Sequence, residues 1–231
     1  MCTGELVSVV IPFYNHHEFI HECIESIKQQ TYKNYEIIII DDESDPELKL
    51  NDMNIFRLVK HTGVAGAMNA GINKARGEYI KLFGADDVAM PFMIEKNLEA
   101  IHQTGRKWSC GGLKYINMFS DEIKLQCEVN HFDAITDKNV EQLAVFGPGL
   151  GGGSILYDKE LFNRHGLLDE KLQCGEDREF WARLFRADEL PAYIPDYLYK
   201  YRQGSSRARM NVSFESNNRL RALLQRRANE L

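Results

Sequence analysis

The 231-residue sequence contains no run of 18 apolar residues and no basic segment leading into an apolar one. Neither a membrane-spanning helix nor an evident signal peptide is therefore expected. Positive charge is in deficit: 28 Lys and Arg stand against 34 Asp and Glu, a formal charge of -6. Without a basic face, nucleic acid is excluded as the main partner. The five cysteines, Cys2, Cys23, Cys110, Cys127 and Cys174, form no CxxC pair. At this length they suit reduced, buried thiols in a cytoplasmic chain and argue against a disulfide scaffold. No internal repeat, low-complexity tract or Pro/Gly/Ser linker interrupts the chain. What is present, 44% hydrophobic and 27% charged residues, suits one globular domain with a sizeable core.

The first 105 residues alternate in type. "LVSVVIPFYN" and "YEIIIIDDES" read as strands buried on both faces, "IFRLVK" and "EYIKLF" as shorter ones. Between them "EFIHECIESIKQQ" places Phe19, Ile20, Cys23, Ile24 and Ile27 at helical spacing. "VAGAMNAGINKA" is a helix of small, closely packing residues, and "PFMIEKNLEAIHQ" a helix with Pro91 in its first turn. Strand–helix–strand with short connections predicts βαβ units and a parallel sheet. Beyond residue 105 the pattern loosens. "WSCGGLKYINM" and "EIKLQCEV" read as strands that could pair. "FGPGLGGGSILY" is a glycine-rich loop entering a strand, "GEDREFWARLFRA" a short helix, and "AYIPDYLYKYR" a strand. One domain over 1–231 is expected, with a nucleotide-binding half (1–105), an acceptor-side half (106–212) and a basic C-terminal helix (213–231).

Ligands of open parallel sheets bind beyond the carboxyl ends of the strands. Three such ends carry polar groups here: Pro12-Phe13-Tyr14-Asn15, Asp41-Asp42 and Asp86-Asp87. An acid after a strand is commonly a turn former or helix cap. Two acid pairs in equivalent places instead suggest a hard cation, Mg²⁺ or Mn²⁺, bridging to substrate phosphates. Glu176 and Asp177 open a helix, where acids also favour the dipole. Being about 100° apart, only one would face an acceptor.

The stretches "VSVVIPFYN", "YEIIIIDDES", "NAGINKARGEYIKLFGADD" and "GEDREFWARL", in this order, resemble the family 2 glycosyltransferases of GT-A fold over about residues 6 to 203. The resemblance implies a Rossmann-like α/β fold with a mostly parallel central sheet and a smaller mixed β region. It also implies transfer of a sugar, usually UDP-linked, with inversion and with Mn²⁺ or Mg²⁺. The acceptor would be a glycan or a lipid-linked glycan. By that resemblance Pro12, Tyr14 and Asn15 border the nucleotide base. Asp42 hydrogen-bonds the base, while Asp41 shapes the turn. Asp87 takes the metal, and Asp86 the ribose or donor sugar with a share in the metal. Asp177 is the catalytic base, with Glu176 orienting the acceptor or capping the helix. Asn69 and Arg76 lie where donor or phosphates are often contacted, though a helix surface accounts for them as well.

Two positions depart from the family pattern. Gly84 stands where an extra acid often precedes the DD pair, and Gly204 where a histidine often ends "YRxH". Arg202, Arg207 or Arg209 is expected to neutralise the diphosphate instead. His16 and His17 read as polar loop residues and Trp181 as core. The "GPGLGGGS" glycines are no P-loop, because no GK[ST] follows; they suit backbone lining the acceptor side or a strand-entry turn. From Lys200 onward eight basic residues face two acids. That excess suits docking on the acidic body, or peripheral contact with an anionic membrane. Competing readings are a nucleotidyltransferase, which would show a basic glycine-rich loop after strand one, and a non-catalytic sugar- or protein-binding relative.

Overall fold

The apolar runs at the start of the chain become the centre of a sheet. A computed structural model of the protein describes residues 4–123 and 150–204. Strand β1 (Val7–Phe13) lies between β2 (Tyr35–Asp41) and β4 (Tyr79–Leu82), with β3 (Asn54–Arg57) outside β2, all parallel. Three helices connect and follow them: α1 (Ile20–Lys28), α2 (Gly63–Lys74) and α3 (Met93–Thr104). The helix after Pro91 thus begins two residues later than the proline suggests. β5 (Val88–Ala89) precedes it.

The second half extends the same sheet with mixed directions. β6 (Trp108–Ile116) pairs with β7 (Glu122–Ile123) as an antiparallel hairpin. β8 (Leu156–Asp158) runs antiparallel to β4 and β6, and β9 (Ala192–Arg202) runs parallel to β6. The resulting order is β3-β2-β1-β4-β8-β6-β9-β5. Helices α4 (Glu160–His165) and α5 (Glu176–Arg186) complete the described α-helices. The proposed C-terminal helix and most of "EIKLQCEV" lie outside the described residues.

Strand alternation divides the core in two. Val10, Ile38, Ile40 and Ile80 pack on one face with Ala65, Ala67 and Ile72 of α2 and with Phe180 and Trp181 of α5. Val9, Ile11, Ile39 and Phe83 pack on the other with Cys23 and Ile27 of α1 and with Met93 and Leu98 of α3. The small residues of α2 matter here: a Cβ on Gly71 would stand 2.2 Å from Val10 Cγ1, so only glycine lets the helix this close.

One residue breaks the alternation chemically. Lys81 in β4 is fully buried, and its Nζ has no hydrogen-bond partner. Burial pushes its pKa well below the usual lysine value. Below the unfolded value of about 10.4 the unfolded chain holds a proton that the native chain lacks, down to the depressed native pKa. Stability therefore rises with pH across that window, by at most roughly 1.4 kcal/mol per pH unit. Lys81→Met keeps the volume and removes the charge. It is expected to raise the melting temperature at pH 7 and to flatten its rise towards alkaline pH. An unchanged pH slope would show that Lys81 is not the source.

Candidate functional site

The parallel register aligns the ends of three strands. Phe13 sits opposite Asp41, and Val10 opposite Leu82, so the residues after β1, β2 and β4 emerge at one sheet edge. The amide of Asp42 donates to Phe13 O at 2.8 Å and that of Phe83 to Val10 O at 3.0 Å, continuing the ladder into the loops.

The two acids after β2 have separate roles. Asp41 is buried and accepts from the amides of Ser44 (2.9 Å) and Leu48 (3.2 Å) and from Arg57 Nη1 (2.6 Å). Burial opposes its ionisation, but these donors prevail and hold its carboxyl below the usual range. It shapes the turn. Asp42 reaches the start of α2. Its Oδ1 accepts from Thr62 N (2.7 Å) and Thr62 Oγ1 (2.9 Å), its Oδ2 from Gly63 N (2.8 Å) and lies 2.9 Å from His61 Nδ1. Asn15 holds φ +57° and accepts from the Asp45 amide at 2.8 Å, while its own amide donates to Ser44 Oγ at 3.0 Å. The first loop is thereby tied to the turn after β2. Pro12 stays within β1, opposite Ile40. Tyr14 is 39% exposed, and its ring lies 4.1 Å from that of His61.

Asp86 and Asp87 occupy the loop after β4. Asp87 is buried and its Oδ1 accepts from the Arg202 amide at 3.0 Å. A Cβ on Gly84 would stand 2.9 Å from Asp86 Oδ1 and 3.0 Å from Asp87 Oδ2. Both carboxylates thus fold back over the glycine, and the loop has closed around the space where a third acid would begin. Beneath it the Cys23 thiol donates to Gly84 O at 3.3 Å. Burial, with the charges of Asp87, Asp86 and Glu22, pushes that thiol's pKa well up. His16 Nδ1 lies 3.8 Å from Asp86 Oδ2 and has no hydrogen-bond partner. Among the described residues no group of three or more His, Cys, Asp or Glu side chains could hold a metal unaided. Two hard oxygens converging on one loop nonetheless fit an ion of the Mg²⁺ or Mn²⁺ kind, which takes few carboxylates and completes its shell with phosphate and water.

A wall of packed groups leads from this loop to the helix acids. The Phe83 ring meets the Tyr199 ring edge-on at 6.0 Å. Tyr199 fills the space that side chains on Gly151 and Gly153 would need, with ring atoms 2.8 and 2.7 Å from the two Cβ positions. A Cβ on Gly152, between them, would stand 3.1 Å from Asp177 Oδ2. The glycines therefore let a 3₁₀ turn (Gly152–Ser154) slip between an aromatic ring and a carboxylate. Asp177 is half-buried in the first turn of α5, and its Oδ1 accepts from the Arg178 amide at 2.7 Å. Glu176 is only 8% exposed. Trp181 lies in the core and donates to the Tyr157 hydroxyl at 2.8 Å.

Residues 8–166 match the sequence profile described as Glycosyl transferase family 2. The chain belongs to this family. An uncharacterised glycosyltransferase of Bacillus subtilis, EpsJ, is 31% identical over 212 residues, covering 86% of this chain and 61% of that protein. An uncharacterised glycosyltransferase of Rickettsia prowazekii is 28% identical over 191 residues, covering 80% of this chain and 60% of its own length. The chain thus spans about three fifths of these two relatives. The structure of Staphylococcus aureus TarS residues 1–349 with UDP-GlcNAc superposes with a TM-score of 0.72 at 16% identity, covering 94% of this chain and 65% of that one. The same protein with UDP gives 0.71. The family 2 fold is therefore of the GT-A type that the motifs imply.

Two residues expected on the donor side of this family 2 chain are engaged within the fold. Arg202 is 1% exposed. Its Nε donates to Asp86 O (2.8 Å), its Nη1 to Asn117 O (2.9 Å) and Ser120 Oγ (3.1 Å), and its Nη2 to Glu22 (2.5 Å), while the guanidinium covers the Phe19 ring. It clamps the acid loop from behind. Asn69 is buried, and its amide both donates to Leu168 O (3.0 Å) and Glu170 (2.9 Å) and accepts from Leu168 N (3.0 Å). It staples α2 to the segment before α5. Arg76 pairs with Glu36 on the surface. Arg207 and Arg209 lie outside the described residues. Gly204 holds φ +85°, where a histidine would be strained. The sequence reading missed Cys23, His61 and Tyr199, because their periodicity marks only a core helix, a loop and a strand.

Proposed function

We propose that this family 2 chain transfers a sugar from a nucleotide-diphosphate donor, UDP-linked in the first instance, to a hydroxyl of a glycan or lipid-linked glycan, with inversion. The observation that carries this is the run of packed groups that joins two acid sites: Asp86 and Asp87 on the β4 loop, and Asp177 behind the Phe83–Tyr199–Gly152 wall. The UDP and UDP-GlcNAc complexes of the structurally similar TarS support the choice of donor class.

The residues divide the chemistry between them. Asp177 accepts the proton of the acceptor hydroxyl as its oxygen forms a bond to the anomeric carbon. The bond from that carbon to the diphosphate oxygen breaks on the opposite side, and the nucleoside diphosphate leaves with the electron pair. A single displacement assisted by this one base inverts the centre. Asp86 and Asp87 would hold Mn²⁺ or Mg²⁺, which when bound neutralises charge developing on the departing diphosphate. Tyr14 and the Asp42 edge would receive the base.

Thermal unfolding tests the donor and metal parts together. UDP is expected to raise the melting temperature by mass action, and more with Mn²⁺ than with EDTA. Asp87→Asn should remove the Mn²⁺-dependent increment and leave the rest. Equal stabilisation by UDP in Mn²⁺ and in EDTA would remove the metal from the reading but leave nucleotide binding intact.

A further inference from the structure

The carboxylate of Asp42 offers about four lone-pair positions. Four donor groups surround them. Thr62 N and Thr62 Oγ1 donate to Oδ1 and Gly63 N to Oδ2, while the fourth, His61 Nδ1, hydrogen-bonds the Asp42 main-chain oxygen at 3.2 Å and stands 2.9 Å from Oδ2. The first three belong to the start of α2, whose backbone is fixed by the helix. The fourth is a side chain that is 47% exposed. That same imidazole lies against Tyr14, with ring centroids 4.1 Å apart and planes tilted by 32°. The His61 main chain is anchored separately, its amide donating to Glu43 at 2.7 Å, so the ring can turn without moving the loop.

A flat aromatic ring on Tyr14 with an in-plane N–H directed at Asp42 has the features of a nucleobase with a ring N–H. We propose that His61 is a specificity-determining residue that stands in the place of the donor's base. It must turn out of the Tyr14–Asp42 site before a nucleotide can bind. The inference rests on the donor reading above. It explains how a buried carboxylate can serve a base that is not yet there: the imidazole, bonded to the Asp42 main-chain oxygen, covers the Oδ2 edge in the meantime. It also sets a condition on the ligand. A base that stacks on Tyr14 but brings no N–H to Asp42 would displace a hydrogen bond without replacing it. A uracil-type base, with its N3–H, satisfies both conditions, and a cytosine-type base only the first.

A ligand that must displace an internal competitor binds more weakly by the fraction of molecules in which the site is open. UDP and CDP binding measured by calorimetry in wild type and His61→Ala tests this. The expected result is a gain in UDP affinity on the order of three- to tenfold in His61→Ala, with UDP still preferred over CDP. Equal or weaker UDP binding in the variant would overturn the inference and make His61 part of the wall. The wild type supplies a second readout that needs no variant. In long-range ¹H–¹⁵N spectra the His61 ring nitrogens should shift on UDP addition as Nδ1 leaves Asp42. Unmoved His61 signals in the presence of bound UDP would also overturn it. No UDP binding to either protein would instead remove the donor reading, and this inference with it.

Discussion

Replacing Asp177 with asparagine is expected to lower turnover by roughly 10²–10⁴, the usual contribution of a positioned base, while UDP binding stays near wild type. The substitution is close to isosteric. An asparagine Oδ1 can still accept from the Arg178 amide that now donates to Asp177 at 2.7 Å, so the first turn of α5 keeps its bond. What is lost is proton acceptance at the carboxylate edge lying against Gly152. Burial separates Asp177 from its neighbour: Glu176 is 8% exposed, and Asp177 is half-buried. Glu176→Gln is accordingly expected to cost less turnover than Asp177→Asn. Turnover and UDP affinity should be measured for both. Near-normal turnover in Asp177→Asn with loss in Glu176→Gln would move the base to Glu176. Near-normal turnover in both would make the helix acids structural and end the proposed mechanism.

The largest effect on stability is expected at Arg202. Arg202→Met keeps much of the apolar stem and removes every guanidinium donor. Asp86 O and Asn117 O would each lose a buried partner, at about 1–3 kcal/mol apiece. The Glu22 pair adds less, because Glu22 is 42% exposed and water can replace the arginine. A loss of about 3 kcal/mol follows, or roughly 6–12 °C in melting temperature for a chain of this size. The Asp86–Asp87 loop would slacken as well, so the Mn²⁺-dependent part of UDP stabilisation should shrink along with the fold's stability. Urea denaturation and thermal shifts with UDP, with and without Mn²⁺, give both readings. Unchanged stability together with lost UDP binding would return Arg202 to the diphosphate and contradict the clamp.

These two residues differ in where their surroundings come from. Asp177 carries a local signal: an acid in the first turn of an amphipathic helix whose Phe180, Trp181 and Leu184 are buried. Arg202 carries the same kind of local signal, a cation after a strand, yet its environment comes from Glu22, Asp86, Asn117 and Ser120, which lie far from it along the chain. Nothing in its neighbours tells whether the guanidinium points outward to a ligand or backward into the fold. The same holds for Asn69, whose partners Leu168 and Glu170 lie 99 and 101 positions away.

By itself the sequence determined the parallel β1–β4 half, the apolar faces of its helices and the three polar strand ends. Each of these follows from periods of two or 3.6 residues and from what happens where a buried strand meets water. The tertiary structure alone decided how the second half joins the sheet, with β8 antiparallel beside β4 and β9 parallel to β6. It alone set Tyr199 between two glycines and His61 on Tyr14. Hydrophobic pattern says which face of a strand is buried but not which strand it will lie beside. A polar side chain's role depends on the donors and acceptors that folding brings within about 3 Å of it.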